Sequence, residues 1–226
     1  MNNGNQISTK LIVLSAALTA MVVVLQLLGS FIHLGMFSIS LVLIPIVIGA
    51  AICGVGVGAW LGFAFGIVVL ISGDAASFLA VNPFGTVVTV LVKGALAGLV
   101  SAVVYKAFLK LCSIWKEKNK TAKWAWLEKA KGIIFVYLPV FAAAVVCPIV
   151  NTGVFLVGCN LFFYDTLAEW ALALGYENAA NYMIFGLAGG NFLFELLFNV
   201  ILSPSVVRVL DIFSLKFQEK KTPSIR

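Results

Sequence analysis

The chain has 226 residues, of which 62% are hydrophobic and only 11% are charged, and its mean hydropathy is +1.09. These values lie outside the range of soluble globular domains and indicate an integral membrane protein. Apolar runs long enough to cross a bilayer recur along the chain, so we expect residues 1–226 to form a single integral membrane domain. No short apolar core precedes a small-residue cleavage site, so no signal peptide is expected.

Six membrane-spanning helices are predicted in chain order. They cover residues 9–30, 38–54, 57–73, 84–111, 132–159 and 182–213. The second and third spans are separated only by the run from Cys53 to Gly58, whose alternating glycines suit a tight turn at one membrane face. The predicted fold class is therefore an all-α membrane protein with six transmembrane helices.

The positive charges predict how these helices are oriented. With a cytoplasmic N-terminus, 14 of the 15 lysines and arginines lie on the cytoplasmic side and the remaining one lies within the membrane. They cluster in a basic cytoplasmic loop, residues 112–131, and in the C-terminal segment. This asymmetry follows the positive-inside rule and places both termini in the cytoplasm. The net charge of +6 therefore reflects topology, and no nucleic-acid partner is expected.

The sequence offers little support for metal, cofactor or enzyme chemistry. The four cysteines are Cys53, Cys112, Cys147 and Cys159. Their spacing does not resemble a metal site, so buried thiols are predicted and no cofactor or metal is expected. A single histidine excludes the two-histidine helix of intramembrane metalloproteases. Lys93 has no nearby serine on its helix to activate, so a serine protease is not expected either.

Polar residues of the last three spans are predicted to lie at one depth. From the helical rise, Lys93 lies about 13 Å below the outer end of the fourth span, and Asn191 lies at a similar depth in the sixth. Asn151 and Thr152 lie about 10–12 Å below the outer end of the fifth span. A cation inside a membrane is costly unless it is paired or hydrated. A pocket open to the outside is the simplest explanation.

Glu195 is the one acid predicted deep within a helix, and it leaves two interpretations open. Asn191, Glu195 and Asn199 recur every four residues and therefore share an inward face. In the first interpretation, Lys93 and Glu195 form a structural ion pair that joins the fourth and sixth spans. In the second, Lys93 binds an anionic or carbonyl-bearing ligand, while Asn151 and Asn191 donate and accept hydrogen bonds.

Two further residues bear on this pocket. Pro148 removes a backbone donor and is expected to kink the fifth span just before Asn151. His33 lies in the first outer loop, where it either caps the pocket or is an ordinary interface histidine. The predicted substrate-binding residues are Lys93, Asn151, Thr152, Asn191, Glu195 and His33.

Small residues at four-residue spacing predict close helix contacts. They are Gly58, Gly62 and Gly66 in the third span, Gly94 and Gly98 in the fourth, and Ala16 and Ala20 in the first. Such spacing lets helices approach closely in lipid. The glycines are expected to pack inside the protein. The alanines lie near the cytoplasmic end of the first span, where a partner protein could reach them.

Several of these features resemble a known transporter family. The run from Ile44 to Ala59, IPIVIGAAICGVGVGA, resembles the segment joining helices 2 and 3 of the substrate-binding S components of energy-coupling factor (ECF) transporters. The pair Ala16 and Ala20, the six-helix plan and the KGALAG pattern of the fourth span resemble the same family. The likeness extends over most of residues 10–213. Val55 departs from the family pattern, in which proline often follows the glycine.

The resemblance implies a membrane-embedded protein that captures a vitamin or related micronutrient from outside with high affinity. Such proteins hydrolyse no ATP themselves. They dock on a module of one transmembrane scaffold subunit and two cytoplasmic ATPase subunits, and they are expected to topple in the membrane to release substrate inward. Ala16 and Ala20 would form the docking face. The resemblance also implies the bacterial plasma membrane, with membrane lipids as the surrounding partner.

The ligand and one rival function stay open at this point. A cationic, amide-lined pocket suits a vitamin with a carboxylate or several carbonyls, such as pantothenate, riboflavin or a folate-like compound. The alternative is a self-contained secondary transporter or channel for a small solute. Coupled carriers usually show two related halves, whereas helices 1–3 and 4–6 of this chain do not look alike.

Overall fold

The structure is a computed structural model that describes residues 9–31, 33–34, 37–38, 41–118 and 125–218. Side chains at residues 10, 33–38, 116–134, 136 and 210–218 lie outside this description. The described part of the chain is almost entirely helical, apart from one short hairpin in which His33 pairs with Ser38 and Leu34 with Phe37.

The elements follow one another along the chain with short connections. They are α1 (Thr9–Gly29), β1 (His33–Leu34), β2 (Phe37–Ser38), α2 (Leu43–Cys53), α3 (Val55–Ser72), α4 (Ala76–Val81), α5 (Pro83–Lys118), α6 (Ala125–Phe162), α7 (Tyr164–Ala173), α8 (Ala179–Asn181), a π-helical segment (Tyr182–Gly189) and α9 (Gly190–Gln218).

Five helical stretches in the described ranges are long and apolar enough to cross a membrane. They are Leu11–Gly29, Val55–Ser72, Pro83–Trp115, Tyr137–Phe162 and Ala179–Val209. They correspond to the first, third, fourth, fifth and sixth predicted spans. The architecture is therefore an all-helical bundle built around five membrane-spanning helices.

The second predicted span, residues 38–54, is shorter than expected. Its helix, α2, has 11 residues and a length of about 17 Å, against a hydrocarbon core of about 30 Å. Leu43, Ile46 and Ala50 of α2 are completely buried. The first two belong to the main hydrophobic core, together with residues of α1, α3, α5, α6 and α9. Burial within the bundle accounts for the apolar sequence that suggested a full span.

Helices α3 and α5 pack with their backbones in direct contact. A Cβ atom added to Gly62 would overlap the carbonyl oxygen of Gly94, and one added to Gly98 would overlap the carbonyl oxygen of Gly58. Side chains are excluded from this seam because no space remains for them. The predicted internal packing of the two glycine sets is confirmed.

Helices α5 and α6 extend further at their predicted cytoplasmic ends than the sequence indicated. Their helical residues include 112–118 and 125–131, which were predicted to be loop. Trp115 packs edge-to-face on Phe135, with ring centroids 6.0 Å apart, and so joins the two helices. The segment entering this region, YKAFLKLCSIWKEK, contains no glycine or proline, so nothing in it ends the helix.

Irregular backbone occurs in the segment that precedes α9, the helix that packs against α6. Helix α6 remains α-helical through Pro139 and Pro148. The π-helical segment, eight residues long, instead precedes α9 directly. π-Helical segments are rare in proteins, and those that occur are often found at functional sites. This segment leads into the helix face that carries Asn191 and Glu195.

Candidate ligand-binding site

Buried polar side chains in the described structure differ in where their partners lie. Ser101 and Ser203 donate to carbonyl oxygens of their own helices, as serines commonly do inside membrane helices. Asn151 and Glu195 are buried as well, but they face one another from different helices, α6 and α9. This contact between helices requires a tertiary explanation.

The carboxylate of Glu195 accepts hydrogen bonds from the side-chain amides of two asparagines. Asn151 donates from Nδ2 to Oε2 of Glu195 at 3.4 Å, and Asn191 donates from Nδ2 to Oε1 at 3.2 Å. Glu195 itself is 1% exposed. One turn further along α9, Asn199 donates to the backbone carbonyl of Glu195 at 2.8 Å. Each carboxylate oxygen therefore accepts from a different asparagine.

This arrangement leaves both asparagine carbonyl oxygens unsatisfied. An ionised carboxylate only accepts hydrogen bonds, so each amide must turn its NH₂ group toward Glu195. Oδ1 of Asn151 and Oδ1 of Asn191 are buried and have no hydrogen-bond partner in the described structure. Buried acceptors of this kind are uncommon and costly. They leave two acceptors free for a donor such as a water molecule or a ligand.

A small cavity lies beside these two oxygens. It is lined by Lys93, Asn151, Thr152, Phe155, Leu187, Ala188 and Asn191. Its volume is ≈ 30 Å³, enough for one or two water-sized molecules. The structure thus brings together four of the predicted binding residues, from α5, α6 and α9, around one cavity. Glu195 is not part of this lining, and it reaches the cavity only through the two asparagines.

The ammonium group of Lys93 lies between two aromatic rings. Its Nζ atom is 5.7 Å from the ring centroid of Phe65 on α3 and 5.0 Å from that of Phe155 on α6. Both distances suit cation–π attraction. No ion pair within 4.0 Å joins Lys93 to Glu195 in the described structure, although the two charges attract one another at longer range. A close structural ion pair is therefore not what holds α5 to α9.

An aromatic cluster lies next to this cavity, toward the end of α6. Phe78 packs edge-to-face against Phe155, Phe163 and Trp170, with ring centroids 5.8, 5.0 and 5.8 Å apart. Tyr182, at the start of the π-helical segment, belongs to the same hydrophobic cluster. Phe155 contributes to both the cluster and the cavity, so apolar ring faces continue outward from the polar groups.

A second polar contact was missed by the sequence analysis. Gln26 of α1 is 2% exposed and donates from Nε2 to Oδ2 of Asp74 at 2.6 Å. Ser72 donates to the same carboxylate oxygen at 3.2 Å. Asp74 also acts electrostatically on Lys93. Gln26 was the one signal available, since an amide is unusual inside an otherwise apolar first span.

The remaining predicted residues lie elsewhere. His33 is in β1, but its side chain lies outside the described part of the structure. Ala16 and Ala20 are exposed on α1. The neighbouring Thr19 faces α3 instead, where its Oγ1 accepts from Nε1 of Trp60 at 3.2 Å. The two alanines thus lie on a face of α1 that the bundle does not cover.

The site is equipped to bind a ligand through non-covalent contacts. It combines one ammonium donor, two unsatisfied carbonyl acceptors and several aromatic ring faces. Hydrogen bonds formed by a ligand here are strengthened by the low dielectric of the surroundings. Selectivity would therefore depend on the pattern of donors and acceptors that the ligand presents.

Comparison with known proteins gives one match. A family model described as thiamine transporter protein (Thia_YuaJ) matches residues 12–168, more than half of the chain. The matched stretch includes Lys93, Asn151 and Thr152 and ends within α7. Asn191 and Glu195 lie beyond it. No curated protein and no solved structure matches the chain.

Proposed function

The chain belongs to the thiamine transporter protein family, a family of ECF-type S components, and we propose that it captures thiamine or a close aminopyrimidine relative for import. As a family member it is a multi-pass membrane protein of vitamin uptake and a transporter component rather than an enzyme. Because the α9 side of the cavity lies outside the matched residues, the ligand has to be argued from the chemistry of the cavity.

The observation that carries this proposal is the pair of unsatisfied carbonyl oxygens on Asn151 and Asn191. Both residues line the cavity together with Lys93. An aminopyrimidine ring offers an exocyclic amine that donates and adjacent ring nitrogens that accept. The amine would satisfy the asparagine oxygens, while Lys93 would donate to a ring nitrogen. Thiamine contains such a ring.

The cavity is a poorer match for a free carboxylate. A carboxylate has no donor, so it would confront the oxygens of Asn151 and Asn191, and Lys93 alone could stabilise it. The carboxylate end of pantothenate is therefore a poor partner for the two asparagine oxygens. Its hydroxyl and amide groups carry donors, as do the ring N–H groups of riboflavin and folate-like compounds, so binding measurements have to include all three.

The aromatic cluster suits the second half of thiamine, its thiazolium cation. Phe78 and Trp170 present ring faces and edges beyond Phe155, and cations bind favourably to aromatic faces. We propose that the pyrimidine binds between the two asparagines and that the thiazolium points toward these rings, away from Lys93.

Ligand entry requires the walls of the cavity to separate. A volume of ≈ 30 Å³ holds one or two water-sized molecules and is far too small for a vitamin. The structure therefore corresponds to a closed form of the site. The glycine-rich end of the π-helical segment, Gly186 and Gly189, leads directly to Asn191 and is the segment best placed to let this wall move.

Docking on the ATP-driven module is proposed to occur at α1. Ala16 and Ala20 are exposed and one turn apart, and small residues at this spacing allow close helix approach in lipid. The proposed partners are a transmembrane scaffold subunit and two cytoplasmic ATPase subunits. We also propose that both termini lie in the cytoplasm, that the chain crosses the membrane six times, and that it resides in the bacterial plasma membrane.

Calorimetry on the purified protein in lipid nanodiscs tests the ligand assignment. We expect thiamine to bind more tightly than riboflavin, a folate or pantothenate, with pantothenate weakest. Tighter binding of pantothenate than of thiamine would overturn the assignment. Mass spectrometry of copurifying small molecules provides an independent check.

Transport assays separate the S component from the rival function. In liposomes that contain this chain alone, we expect binding of thiamine without its accumulation. Uptake should require the complete ATP-driven module. Accumulation without that module would favour a self-contained secondary transporter or channel.

A further inference from the structure

We propose that Glu195 is a positioning residue that sets the hydrogen-bond pattern of the cavity without touching the ligand. It holds Asn151 and Asn191 so that both present carbonyl oxygens and neither presents an NH₂ group. The choice of thiamine as a probe rests on the proposed function. The positioning role itself rests on the contacts of Glu195.

The first step of the argument is the location of Glu195. Its side chain is buried and lies outside the cavity lining. Both of its carboxylate oxygens are used by residues that do line the cavity. Any effect of Glu195 on a ligand in the cavity therefore passes through Asn151 and Asn191.

The second step is the chemistry of a carboxylate. An amide side chain can rotate by 180° and exchange its donor and acceptor ends with almost no change in shape. Two acceptor oxygens on one residue remove that freedom from both asparagines at once, because each NH₂ group must face Glu195. A glutamine at this position would offer only one acceptor and one donor.

The third step is how the carboxylate is itself held. Lys93 supplies a positive charge that attracts the carboxylate. Leaving a buried charge without partners is costly. The two asparagine NH₂ groups are the hydrogen-bond partners that stabilise the buried carboxylate of Glu195. The result is a cavity with two fixed acceptors.

The substitution Glu195→Gln tests the proposal because it preserves size. The new amide would accept from one asparagine and donate to the other, which forces the second asparagine to turn its NH₂ group toward the cavity. The probes are thiamine and oxythiamine, in which a carbonyl replaces the 4-amino group. We expect the ratio of thiamine to oxythiamine affinity to fall by about tenfold or more, because a donor and an acceptor exchange places.

Asn199→Ala is the matched control. Asn199 lies one turn away on the same buried face of α9 and bonds only to the helix backbone in the described structure. Its replacement should leave the affinity ratio unchanged. An unchanged ratio in Glu195→Gln, with thiamine still binding, would overturn the positioning role.

A ligand-free measurement keeps this inference separate from the thiamine assignment. In protein labelled with ¹⁵N-asparagine, the side-chain NH₂ signals of Asn151 and Asn191 can be assigned from Asn→Asp variants. We expect at least one of these signals to shift in Glu195→Gln and neither to shift in Asn199→Ala. If neither shifts in Glu195→Gln, the inference fails. If the unchanged protein binds neither probe, the thiamine proposal fails and the NMR result still decides the role of Glu195.

Discussion

Two interfaces inside this bundle are built in opposite ways. Between α3 and α5, Gly62 and Gly94 bring backbones into contact and leave no space for a side chain. Between α6 and α9, Asn151 and Glu195 meet through polar side chains, and two buried oxygens remain unsatisfied. The first interface is complete within the protein, whereas the second has hydrogen-bonding capacity left over. That difference makes the first a structural seam and supports our proposal that the second is the binding site.

The strongest way to break the structural seam is Gly62→Ala. The added methyl would overlap the backbone of α5, which cannot give way as a flexible side chain could. We expect a loss of about 3 kcal/mol or more in stability, or failure to accumulate folded protein. Thermal unfolding in detergent measures this. The matched control is Gly56→Ala on the same helix, where a methyl meets nothing within 4 Å, and equal destabilisation by both would contradict the seam.

A third set of small residues sharpens the comparison because it faces outward. Ala16→Trp should abolish assembly with the ATP-driven module, since the bulky ring prevents close approach of the scaffold helix. Ligand binding should be unchanged. Copurification with the module measures assembly, and Ala107→Trp, at an exposed position on α5, provides the control. Normal assembly of the Ala16 variant would remove α1 as the docking face.

At the polar interface, Lys93→Ala should weaken thiamine binding by about 10- to 100-fold, because a hydrogen bond from a charged donor is lost. Stability should fall far less than affinity does, since no close ion pair in the described structure depends on Lys93. Calorimetry and thermal unfolding test the two halves of this prediction. Lys106→Ala, at an exposed position of the same helix, is the control. Parallel loss of binding and stability would indicate a structural role instead.

The smallest effect is expected where a polar contact lies at the surface of the bundle. Trp60→Phe removes the hydrogen bond to Thr19, in which both residues remain partly exposed. We expect a loss of about 0.5–1 kcal/mol in stability and no change in binding. Denaturant titration would detect it. A loss as large as that from Gly62→Ala would mean that α1 and α3 depend on this contact far more than its exposure suggests.

Features that depend on local composition could be predicted from the sequence. Hydropathy predicts the membrane class and five of the spans. Spacing along single helices predicts the glycine seam and the shared depth of Lys93, Asn151 and Asn191. These properties are determined by residues close together in the chain. For the same reason the length of the second span was overestimated, because an apolar run has the same composition whether lipid or protein covers it.

Only the tertiary structure decided which groups meet and which way they face. Gln26 and Asp74 are 48 residues apart in the chain, and Asn151 and Glu195 are 44 apart, so no local pattern reports either contact. The sequence placed polar residues at one level, but an asparagine can present either end of its amide. The packing of α9 against α6 brought Asn151 to Glu195, which already accepts from Asn191 one turn away on its own helix. The sequence therefore determined where the polar residues lie, and the fold determined what chemistry they offer to a ligand.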